Sequence, residues 1–204
     1  PFLFLTPTST GIGPGEENYI SNWWDVVAMG GYDACINVLT YPAMVEFAKV
    51  ERLAGNEQEA AMLEEAAGKF HKSFNDTFWD EEKGRYIGWV DTKGGRHDYF
   101  FTFINTMAVW SGLADRERGR RIMENIDREL ERIGYRGFSL PCNLESIPPE
   151  YYNAGDFWLD EFGYPHVYDP FGIYENGGIW IWTSAYYIAA WSLYDPERAY
   201  AHLE

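Results

Sequence analysis

The chain has 204 residues, 46% of them hydrophobic, with 32 acidic against 16 basic side chains and a formal net charge of -16. That length and apolar content suffice for one core, so a single domain over residues 1–204 is expected. The acidic balance excludes nucleic acid and anionic membrane as partners, because no basic stripe exists to neutralise phosphates. No apolar run is long enough to span a bilayer, and Pro1-Phe2-Leu3-Phe4-Leu5 is too short, and lacks the basic flank, for a signal peptide. The compartment is thus unwritten, with the cytoplasm favoured by the lack of a visible leader. Cys35 and Cys142 cannot form a disulfide framework and the four histidines are scattered, so neither metal nor cofactor is expected.

Residues 1–21 alternate Pro and Gly and read as a loop. From about Tyr32 to Ala54, the residues Ile36, Leu39, Ala43, Met44, Phe47, Val50 and Leu53 recur at helical spacing, and Gly55-Asn56 ends that helix. A second helix is predicted from about Glu57 to Phe78, with Ala61, Leu63, Ala66, Ala67, Phe70 and Phe74 as its buried stripe. The two make an antiparallel hairpin. Residues 85–91 and 96–100 flank Thr92-Lys93-Gly94-Gly95 and predict a small β-hairpin. A second helix pair follows, about Phe103 to Leu113 and Arg116 to Ile133. Residues 134–172 read as a long irregular segment whose many aromatics argue against disorder. A last pair covers about Gly178 to Leu193 and Pro196 to Leu203. In each pair one helix is apolar on most sides and the other amphipathic, the pattern of nested helical barrels; an irregular bundle is the plain alternative.

Aromatic residues make up 18% of the chain, which points either to exposed aromatic platforms or, equally, to an aromatic-rich core. Asn22-Trp23-Trp24-Asp25 and Tyr174-Glu175-Asn176-Gly177-Gly178-Ile179-Trp180 each set a carboxylate beside indoles and amides. Such a group can stack on a pyranose, bond its hydroxyls and move a proton at a glycosidic oxygen. Carbohydrate is therefore the expected substrate.

These two stretches, with Ile36-Asn37-Val38-Leu39 and Phe74-Asn75-Asp76-Thr77-Phe78-Trp79-Asp80-Glu81-Glu82-Lys83-Gly84, resemble the six-hairpin glycosidases, a group that includes glycogen-debranching-type, α-glucosidase, neutral invertase and trehalase-like enzymes. The resemblance runs from about Asn22 to Leu193 and implies an all-α fold: helical hairpins of an (α/α)6 toroid, about half of the barrel, with a small β-hairpin insertion. Either the chain is the C-terminal part of a longer protein, lacking an N-terminal half, or a homodimer completes the ring. Half a torus would leave inner-helix surface exposed well beyond what a soluble monomer usually shows.

The resemblance implies that Asp25 is the general acid, its pKa raised by Trp23 and Trp24; a plain helix cap is the other reading. The base falls to Glu175, Glu145 or Glu150, with Glu175 in the most distinctive motif, and Glu175 reads equally as an acceptor for sugar hydroxyls. The glycines after Glu175 would allow close substrate approach. Trp23, Trp24, Asn37, Tyr174, Asn176 and Trp180 are expected to bind substrate. Asp33 lines the cavity or caps a helix, and Asn105 is a satisfied core amide or a cavity liner, with the cavity preferred. Trp180 and Trp182 should point apart. The expected activity is inverting glycoside hydrolysis, against a non-catalytic carbohydrate-binding or assembly module. A sugar epimerase or isomerase would need paired histidines, for which only His97 and His166 are candidates.

Overall fold

The computed structural model describes residues 3–6, 9–12, 22–24, 27–151 and 171–203. Among these, three helical hairpins follow one another. Helices α1 (Ala34–Leu53) and α2 (Glu57–Phe78) form the first, α3 (Thr102–Trp110) and α4 (Arg116–Arg132) the second, α5 (Ile181–Ser192) and α6 (Pro196–Ala201) the third. Helix α3 lies between α1 and α5, with α2, α4 and α6 packed outside their partners. The result is an arc of a nested helical toroid, three inner helices backed by three outer ones.

The helix boundaries follow from local chemistry. Asp33, Asp115 and Asp195 cap α1, α4 and α6 by accepting the main-chain N–H of Cys35, Arg118 and Arg198. Gly55, at φ +85°, supplies the left-handed residue that closes α1. Pro42 stands inside α1 and leaves the Val38 carbonyl without its donor four residues on. Every residue of α3 from Thr102 to Val109 is buried, as its place between two inner neighbours requires.

The edge helices differ. On α1 the buried residues are Ala34, Cys35, Asn37, Val38 and Ala48, while Leu39, Phe47, Val50 and Leu53 of the predicted apolar stripe are exposed. Leu39 and Phe47 border an open groove of about 880 Å³ that Phe4, Asn22, Trp23 and Met44 also line. Helix α2 buries Ala60, Ala67, Phe70, Phe74 and Phe78, so the predicted stripe holds over its second half but is one residue out at Ala61, which is exposed.

Strands are more numerous than the single predicted hairpin. Strand β1 (Leu5–Thr6) lies in the stretch read as loop, and β2 (Gly31–Asp33) takes the first residues assigned to α1. Strands β3 (Trp79–Asp80) and β4 (Arg85–Tyr86) pair with each other. Strands β5 (Trp89–Val90) and β6 (Arg96–His97) form the expected hairpin, with Trp89 opposite His97. That hairpin extends into a sheet ordered β1-β2-β5-β6. Strand β7 (Leu140–Pro141), within the segment predicted to be irregular, pairs with β8 (Ile179–Trp180), which takes the first residues assigned to the last inner helix, and brings the third hairpin against the second.

Candidate functional site

Each inner helix is preceded by a short strand or extended residue, and these three approaches gather at one end of the arc. Trp24 is fully buried and donates its indole N–H to the Glu175 carbonyl at 3.2 Å. Its ring meets Phe101, the residue before α3, at 5.2 Å. Trp23 lies against Trp24, their ring centroids 3.8 Å apart, and packs edge-on against Trp182 at 4.7 Å. The Trp23-Trp24 pair thus wedges together the N-terminal ends of α1, α3 and α5.

Asp25 lies outside the described residues; of its motif, Asn22, Trp23 and Trp24 are described. Asn22 accepts the Trp24 N–H at 2.6 Å and donates from its amide to Asp33.

Glu175 is 1% exposed, in the tight turn that leads into β8 and α5. Its negative charge acts on both buried thiols: burial first, then the Glu175 charge, push Cys142 above its ordinary value. Burial and the Asp33 charge, with a smaller push from Glu175, do the same for Cys35. The Glu175 charge is thus felt at both thiols, while its main-chain carbonyl holds the Trp24 indole.

Glu145 points elsewhere. Its carboxylate pairs with Arg85 at 2.5 Å, and Arg85 bonds Asp98 at 2.8 Å while its guanidinium lies 4.0 Å over the Phe100 ring. This network faces the outer helix α4, and Glu145 is not brought to Trp23 and Trp24.

The amides predicted to bind substrate are occupied by main chain. Asn37 accepts the Phe4 N–H at 2.9 Å and donates to the carbonyls of Phe4 and Asp33, so it pins β1 to α1. Asn176 accepts from Ile147 N at 2.8 Å and donates back to its carbonyl. Asn105 bonds both main-chain groups of Tyr86 and the Phe101 carbonyl, a core amide and no cavity liner. Asn143, which sequence reasoning missed, accepts from Gly177 N at 2.8 Å and donates to the Glu145 carbonyl. The glycine pair serves the chain itself: Gly177 has φ +80°, and a Cβ on Gly178 would collide with the Tyr174 carbonyl.

Exposed aromatic surface is supplied by Tyr174, 40% exposed, whose ring lies 5.8 Å from that of Trp180. Trp180 also donates to the Tyr174 carbonyl at 3.2 Å. Tyr174 holds φ +41°, a left-handed conformation that costs a non-glycine residue about 1–2 kcal/mol. Trp180, in β8, and Trp182, in α5, have separate partners: Tyr174 for the first, Trp23 and Phe103 for the second. His97 stacks on Trp89 and bonds Asp91 at 2.8 Å, and His166 lies outside the described residues. Among the described residues no group of His, Cys, Asp and Glu could hold a metal.

An arc of nested helical hairpins, with indoles and a carboxylate at the inner-helix N-termini, defines the six-hairpin glycosidase toroid. The chain belongs to the family described as Amylo-alpha-1,6-glucosidase, whose model matches residues 21–203. It is 28% identical over 190 residues to N,N'-diacetylchitobiose phosphorylase of Vibrio proteolyticus, covering 86% of this chain and 22% of that protein. It is 31% identical over 149 residues to mannosylglycerate hydrolase of Rubrobacter radiotolerans, covering 73% of this chain and 29% of that protein. The chain thus spans less than a third of either relative. A GH78 family rhamnosidase structure from Bacillus sp. GL1 aligns with a TM-score of 0.45 and 23% identity, over 65% of this chain and 12% of that one.

Proposed function

We propose that this chain forms part of the active site of an inverting glycoside hydrolase, with Asp25 as general acid and Glu175 as base. The observation that supports the reading is the Trp23-Trp24 wedge, in which the indole of Trp24, the residue before Asp25 in sequence, bonds the Glu175 carbonyl at 3.2 Å. Asp25 would give its proton to the glycosidic oxygen as the bond to the anomeric carbon breaks. Water would add to that carbon from the opposite face and pass a proton to Glu175, a geometry that needs the carboxyls about 6.5–9.5 Å apart. Tyr174, Trp180 and Trp23 offer aromatic surface for the sugar rings.

The exposed apolar strip of Leu39, Phe47 and Val50 supports further helical hairpins closing the ring beside α1.

The test uses the protein that carries this chain, incubated with an α-1,6-linked glucoside, mannosylglycerate or N,N'-diacetylchitobiose, with and without inorganic phosphate. Release of a free sugar of inverted anomeric form, unaffected by phosphate, is expected. A sugar 1-phosphate formed only with phosphate would replace the hydrolase by a phosphorylase, and saturable binding without any product would replace both by a binding module.

A further inference from the structure

Asp33 is wholly buried and does more than cap a helix. One of its oxygens accepts the Cys35 N–H at 2.8 Å in the usual capping manner. The other accepts the side-chain amide of Asn22, eleven residues earlier. Asn22 in turn accepts the Trp24 N–H at 2.6 Å, and its amide also meets the Met29 sulfur at 3.4 Å. A rigid buried carboxylate at the first turn of α1 is thereby tied through one amide to the main chain of Trp24, the residue joined to Asp25.

We infer that Asp33 and Asn22 are positioning residues that hold the Trp23-Trp24 pair, and with it the point from which Asp25 departs, against α1. The inference rests on the assignment of Asp25 as acid. Asparagine suits position 22 because it accepts through one atom and donates through the other; an aspartate would place a second carboxylate against Asp33. The bond order can also be inverted by exchanging the two side chains. The amide now at position 33 would still accept the Cys35 N–H through its oxygen and would donate to the carboxylate now at position 22. That carboxylate would still accept the Trp24 N–H.

The experiment compares wild type with N22A, N22D and the exchange N22D/D33N in the protein that carries this chain. The indoles of Trp23 and Trp24 lie 3.8 Å apart, so they should give an exciton-coupled circular-dichroism band that reports their packing without any substrate. The expected result is loss of the band in N22A and N22D and its return in the exchange, with N22A less stable than wild type but still folded at the assay temperature. Turnover on the glycoside cleaved fastest should fall about a hundredfold in N22A and N22D with KM little changed, and recover in the exchange. A band intact in N22A and N22D overturns the inference, as does kcat unaltered by N22A while D25N abolishes turnover. Full activity in D25N with the band lost in N22A instead overturns the acid assignment and leaves the tether standing.

Discussion

Trp24 and Glu175, 151 residues apart, are joined by a bond from the indole N–H to the main-chain carbonyl at 3.2 Å. This bond crosses from the approach to the first inner helix to the approach to the third, inside a core where water cannot replace it. Trp24→Phe keeps an aromatic ring but removes the donor, and should cost about 1–3 kcal/mol of stability because the carbonyl is left buried and unpaired. Urea denaturation measures the loss. A fall in kcat larger than the fall in stability explains is also expected, since the Glu175 turn loses its tether.

Asn105, the one side-chain amide of α3, carries a heavy structural duty. It satisfies Tyr86 N at 2.8 Å, the Tyr86 carbonyl at 3.0 Å and the Phe101 carbonyl at 2.9 Å, all buried. Asn105→Leu should destabilise the fold by about 2–4 kcal/mol, by orphaning both groups of Tyr86 at the β4 edge. Chemical denaturation checks this.

Arg85 is the hub of an ion-pair network in which the Asp98 side chain is almost fully buried and that of Glu145 is 43% exposed. Arg85→Met should cost about 3 kcal/mol, because Asp98 is left a buried charge held only by the half-exposed Lys83 and the Phe100 N–H among the described residues. Glu145→Gln should cost under about 1 kcal/mol, as for exposed ion pairs generally, and should spare turnover. Loss of turnover in that variant with folding intact would restore Glu145 as the base.

Asp91 ties the β5-β6 turn together. Burial alone would raise its carboxyl, but bonds from His97 and from the N–H groups of Gly95 and Lys93 outweigh that and hold it below the usual carboxylate range. A depressed folded pKa gives stability that is complete above the unfolded value, about 4, and is lost as pH falls through the folded one. The stability gap between wild type and Asp91→Asn should therefore be constant near neutrality and shrink below about pH 4, as pH-resolved thermal melts would show.

The helices were legible because their signals are local: the apolar period, and Gly55-Asn56 after α1. The apolar period of α1 did not tell which face is covered, and much of that stripe borders the open groove. Leu5–Thr6 could not be read as a strand, since its pairing with Gly31 and Tyr32 is set by tertiary contact. The site was legible as residue types and illegible as roles. Asn37 and Asn176 look like sugar ligands in sequence because an amide that bonds a hydroxyl and one that bonds a distant main chain are the same residue. Glu145 looked free because Arg85 stands 60 residues earlier.

Turnover of Asp25→Asn tests the central claim most directly, measured beside wild type on the glycoside cleaved fastest, with folding verified by the tryptophan circular-dichroism band. Loss of kcat by about a thousandfold or more, with KM nearly unchanged and the least damage on substrates whose leaving group needs no protonation, is the predicted result. Wild-type turnover in the folded variant would contradict the account and move the acid elsewhere.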